Sequence, residues 1–141
     1  MYIGLGLCIM VLGYLLVGAV SSWWQGTWDG WHYGYPRTSQ TDAVVGHDDS
    51  PSNPSHFIAI NLHSHIEVIE FPGGDVTHAR VYLGPQLVGN GADLAPVTLT
   101  FKDVNGDGTP DMIVSAGGTI VVFLNDQGQF RPLKPGEQVT V

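Results

Sequence analysis

The chain has 141 residues, five Lys and Arg against 13 Asp and Glu, six His, a single Cys and a formal net charge of −8. Nucleic acid is excluded as a partner, because Arg37, Arg80, Lys102, Arg131 and Lys134 stand singly and cannot form the basic stripe that counterion release requires. Cys8 alone cannot make an intrachain disulfide framework or a CxxC site, and 43% hydrophobic residues with only 13% charged argue against a disordered chain.

Tyr2 to Val20 contains no charged residue, and its length matches the roughly 18 to 20 apolar residues of a bilayer-spanning helix. Residues 1–22 therefore read as a transmembrane helix or uncleaved signal anchor that meets the membrane through residues 2–20. The small-x-small form of Ala19-Val20-Ser21 offers the alternative of secretion after signal cleavage, although no basic region precedes the apolar run. Trp23, Trp24, Trp28 and Trp31 follow at once. Indole rings favour the headgroup region, so residues 23–39 read as a Trp-rich interfacial linker, with an aromatic glycan-binding platform as the alternative. The expected location is the cell membrane, single-pass, with the bulk of the chain extracytoplasmic.

Residues 36–56 are rich in Pro, Ser, Thr, Asp and Asn and read as a linker that feeds a short strand near Asp42 to His47. Short apolar segments then recur between turn signals: Phe57 to Leu62, Ile66 to Phe71, Ala79 to Leu83, Val97 to Phe101, Met112 to Val114 and Ile120 to Leu124. That spacing predicts an all-β domain over residues 40–141. Val97 to Lys102 alternates apolar and polar, so one face is core and the other wet, whereas Ile120 to Leu124 does not alternate and needs cover on both faces. A second packed sheet or another copy of the chain would supply that cover. A faint internal echo aligns Asp42 to Gly46 with Asp111 to Ser115, and Phe57 to Leu62 with Ile120 to Asn125.

The most specific motif is Asp103-Val-Asn105-Gly-Asp107-Gly-Thr109-Pro-Asp111. Oxygen ligands at loop positions 1, 3, 5 and 9, a Gly at position 6 and a backbone carbonyl at position 7 are what a hard divalent cation needs, so Asp103, Asn105, Asp107, Thr109 and Asp111 are the expected Ca2+ ligands. An EF-hand is excluded: the twelfth position is Val114 and Pro110 interrupts the loop. The alternative is a solvated Asp/Asn/Gly turn, since these residues favour turns unaided. His63-Ser64-His65, with His47 or His78, is the candidate for a transition-metal or hydrolytic site, yet it reads equally as an exposed hairpin turn. Serine nucleophile elbows and phosphate loops are missing. Glu67 and Glu70 read as the wet side of a strand that twists or bulges at Val68-Ile69.

Leu99 to Phe130, with the loop DVNGDGTPD at its centre, resembles an FG-GAP/VCBS repeat, the blade unit of integrin-α-like β-propellers. The resemblance implies small antiparallel blade-like sheets, one or two units in all, preceded here by the transmembrane helix. It also implies that the loop joins the first two strands of a blade and holds calcium. Propellers usually need four or more blades, and the 100 or so remaining residues supply at most two, so self-association or a small sandwich is expected. The function expected is that of a non-enzymatic, membrane-anchored, extracytoplasmic calcium-binding β module in surface interaction, adhesion or assembly, with a homo-oligomer, another surface protein or a glycan as partner. A His63/His65 metal-dependent enzyme and a filament-forming subunit are the alternatives.

Overall fold

The computed structural model describes residues 10–21, 23, 24, 27 and 35–141. The chain divides into two units, residues 1–34 and Tyr35–Val141. In the first, residues 10–21, 23, 24 and 27 are helical. Among the described residues no helix is long and apolar enough to cross a membrane. This corrects the expected transmembrane helix and, with it, the single-pass location and the extracytoplasmic placement built on it. Residues 2–9 of the expected span, together with Trp28 and Trp31, lie outside the described residues.

The second unit is two four-stranded antiparallel meanders. Sheet 1 has the order β1 (Arg37–Ala43), β2 (Ser55–Leu62), β3 (His65–Phe71) and β4 (Arg80–Gln86). Sheet 2 has β5 (Val97–Lys102), β6 (Asp111–Ala116), β7 (Thr119–Asp126) and β8 (Gln129–Pro132). The all-β expectation for this part of the chain matches this architecture. The stretch read as a linker contains β1, a polar edge strand of Thr, Ser and Gln that pairs with β2 from Arg37↔Asn61 to Ala43↔Ser55. An edge strand with one bare side needs no apolar alternation, which is why pattern alone missed it.

One core lies between the sheets. Phe57 and Ala59 of β2 and Ile66 and Val68 of β3 are buried with Met112 and Val114 of β6, Phe123 of β7 and Phe130 of β8. Phe57 stands 4.6 Å from Phe101 and 6.1 Å from Phe130, ring centre to ring centre. Each such buried side chain contributes about 2 kcal/mol of transfer free energy, which makes this layer the main source of stability.

The outward faces differ. On sheet 2, Val104, Ile113, Val122 and Leu124 form a second buried cluster with Val139 of the C-terminal tail packed on it. The tail is held by the Thr140 N–H to the Val104 carbonyl at 2.9 Å and by a two-pronged Arg131–Glu137 pair at 2.8 and 2.7 Å. Thus, in the strand that lacks alternation, Phe123 is covered by sheet 1 and Val122 and Leu124 lie in the cluster on which the tail packs, while Ile120 stays 58% exposed. On sheet 1, cross-strand rows run Gln40–Ile58–Ile69–Val81 and Thr38–Ile60–Glu67–Leu83. Val81 and Leu83 are 57% and 72% exposed, and Ile58, Ile60 and Ile69 are partly exposed beside them.

Candidate functional site

The loop 103–110 joins β5 to β6, the first two strands of sheet 2. Its side chains are spent on its own backbone. Asp103 accepts from the Gly106 and Gly108 amides at 2.7 and 2.9 Å, one on each oxygen. Asn105 Oδ1 accepts from the Asp107 amide at 3.0 Å, and Asp107 accepts from the Thr109 amide and hydroxyl on Oδ1 and from Asn105 Nδ2 on Oδ2. The Thr109 hydroxyl and amide, followed by Asn105, hold the Asp107 carboxyl below the ordinary carboxylate range. Asp111, fully buried at the start of β6, accepts from the Val104 amide at 2.9 Å and the Asn125 amide at 2.8 Å.

All six carboxylate oxygens of the loop therefore already have donors. Among the described residues no group of three or more His, Cys, Asp and Glu side chains could hold a metal ion. This contradicts the expected metal-binding, calcium-binding character; in the structure the loop is an amide-capped turn. The histidine site fails with it. His63 and Ser64 are the two turn residues of the β2–β3 hairpin, both with positive φ, and His65 Nδ1 lies 3.3 Å from the His63 carbonyl. His78 pairs with Asp75 at 2.7 Å, and His47 is buried elsewhere.

Sheet 1 closes its first turn in a related way. Ser55 opens β2 as Asp111 opens β6, and both are fully buried. The Ser55 hydroxyl oxygen accepts from the Gly73 amide and donates to Asp49 Oδ2 at 2.8 Å, while Asp49 also accepts from the Val45 and Gly46 amides at 2.8 Å each. Asp49 and Ser55 together do in sheet 1 what Asp111 does alone in sheet 2. The internal echo is thus real in geometry but displaced by one strand, since β2 rather than the 42–46 segment stands where β6 does.

Between the sheets lies a buried polar chain that sequence reasoning missed. Glu70 of β3, expected on the wet side, is fully buried. The bulge falls at His65/Glu67 instead of Val68-Ile69, and Glu70 alternates inward with Ile66 and Val68. Its Oε1 meets Nδ1 of the buried His47, and its Oε2 accepts from the Tyr82 hydroxyl. Burial, then the hydrogen bond to Glu70, raises the Tyr82 phenol well above its ordinary range. His47 Nε2 lies 3.0 Å from Asn125 Oδ1 of β7, and Asn125 Nδ2 donates to the Val45 and Pro110 carbonyls at 2.7 and 3.1 Å. Since the Asn125 amide also meets Asp111, the chain of bonds runs from β4 to the carboxylate loop. The one signal available in sequence was an acidic residue at an inward position of the β3 alternation.

No family model, curated protein or solved structure matches the chain.

Proposed function

We propose that the chain is a non-catalytic β module for assembly, and that the outward face of sheet 1 packs on the same face of a second copy. The observation that carries this is the bare row Ile58–Ile69–Val81 with Ile60 and Leu83, next to a sheet 2 whose corresponding face is covered by its own tail. A face of four strands about 4.8 Å apart and about seven residues long measures roughly 450 Å². Two copies would bury on the order of 1,000 Å², the lower bound of a specific interface. Charge opposes this contact little between like molecules of net charge −8, because the two central rows carry only Glu67. The likeness of residues 99–130 to an FG-GAP/VCBS blade supports the same reading, since blades pack face to face and two do not close a ring.

The test is the solution mass of residues 35–141 over a hundredfold concentration range. Association is expected, and Val81→Glu with Leu83→Glu is expected to weaken it by tenfold or more while leaving the circular dichroism of the dilute protein unchanged. A monomer at every concentration would overturn the assembly reading.

A further inference from the structure

We infer that a single proton is held between His47 and Glu70, with His47 as an imidazolium and Glu70 as a carboxylate, and that it fixes His47 of the sheet 1 half as the donor to Asn125 of sheet 2. The donors and acceptors around the pair leave no other arrangement for the outer atoms. Asn125 Nδ2 faces two carbonyls, of Val45 and Pro110, so its Oδ1 is the atom turned to His47, and His47 Nε2 must carry a proton to bond it. The Tyr82 oxygen accepts from the Phe130 amide, so its own hydrogen goes to Glu70 Oε2. That leaves His47 Nδ1 against Glu70 Oε1, an atom pair that repels unless one proton lies between them. Both side chains are fully buried, and an unpaired charge there would be costly.

The other charged groups near the pair set where the proton sits. Arg80 of β4 places Nη1 3.9 Å from Glu70 Oε2 and favours the carboxylate. Asp49, in the same loop as His47, favours the imidazolium but is already capped by Val45, Gly46 and Ser55. Asp111 of β6 is reached only through Asn125, and Asp48 adjoins in sequence. The Phe130 ring, 4.7 Å from the imidazole, contributes no charge.

Linkage gives the consequence and its sign. Above the ordinary His range, about pH 6.5, the unfolded pair holds no proton while the folded pair holds one. The folding constant therefore falls tenfold per pH unit on the alkaline side until the folded chain itself releases the proton. Between the ordinary Glu and His values both states hold one, and the pair contributes no slope. Glu70→Gln separates this from a merely structural contact. In that variant the side-chain amide N–H takes the proton's place toward a neutral His47, and the side-chain carbonyl still accepts from Tyr82. The alkaline slope should disappear, and a new loss of stability should appear as pH falls below about 6.5, where unfolded His binds a proton that the folded variant cannot.

The experiment is urea unfolding of the full chain and of Glu70→Gln from pH 5 to 9, read as the difference between the two profiles so that shared titrations cancel. The expected difference keeps one sense across the range: relative to Glu70→Gln, the wild-type folding constant falls tenfold per pH unit as pH rises, above the His range because the wild type loses stability and below it because the variant gains stability. Parallel profiles would overturn the inference. Should Glu70→Gln fail to fold, the 15N spectrum of the wild-type histidines at pH 8 decides: both ring nitrogens of His47 protonated is the expected result, and a bare Nδ1 overturns it.

Discussion

Asp111 is the residue on which the second meander turns, and its two oxygens have separate tasks. One caps the Val104 amide at the loop entrance and the other the Asn125 amide on the neighbouring strand. Asp111→Asn keeps the shape but turns an NH2 group toward one of those amides, so a buried N–H loses its acceptor. Such a loss costs about 1–3 kcal/mol, and the urea midpoint of the variant should fall accordingly. The reading of these residues was half legible. Asp, Asn and Gly at 103–111 announce a tight, oxygen-rich turn from residue type alone, because those side chains bond their own backbone. Whether the oxygens face a cation or the loop's amides depends on the path of the backbone, and that path places Gly106, Gly108 and Thr109 amides on the carboxylates. His47 and Asn125 were not legible, since they lie 78 positions apart and only the packing of one sheet on the other makes them partners.

At the scale of elements, the loop and the tail make contrasting predictions. The loop has its charges matched by its own donors, so calcium, magnesium and chelator should give the same thermal midpoint for the chain. A rise specific to calcium, abolished by Asp107→Ala, would restore the calcium reading of Asp103, Asn105, Asp107, Thr109 and Asp111. The tail is different because it covers apolar surface. Val139 packs on Val104, Ile113, Val122 and Leu124, and placing a carboxylate there by Val139→Asp should release it. Val139 is partly buried, so the lost burial is worth about 1 kcal/mol. The measurement is hydrogen exchange, with faster exchange expected at Thr140 and an unchanged rate at Phe57. Strand positions were largely legible, because six apolar segments between turn signals each lie within or across a strand. The edge strands β1 and β8 and the inward Glu70 were the exceptions, as none of them carries an apolar run that would announce it.

For the whole molecule, acid is the condition that reaches several structures at once. The Asp75 carboxyl is lowered to about 2 by the hydroxyl of Thr77 and then by His78, and Glu137 is lowered to about 2 by Arg131 and the Lys134 amide. Asp107 is lowered by Thr109, and at Asp49 the upward push of burial is outweighed by the Val45 amide, Ser55 and their neighbours. Groups with depressed folded values add stability that is fully present above the ordinary carboxylate range and is lost as pH falls toward about 2. The thermal midpoint should therefore decline between pH 5 and 2, with the tail and the loop 103–111 opening before the inter-sheet core. A midpoint flat to pH 2 would contradict the assignment of these caps. By itself the amino-acid sequence determined that residues 40–141 are built of short strands and turns and that one loop is a dense turn of oxygen-bearing side chains. Those are properties of composition and local period, which each segment carries wherever it lies. Tertiary structure alone decided that the sheets pack around a polar chain from Tyr82 to Asp111, that the tail covers sheet 2 and that sheet 1 keeps a bare apolar face. The reason is physical: β2 is apolar on both of its faces, so periodicity cannot say which face is core, and only the placement of a second sheet resolves it.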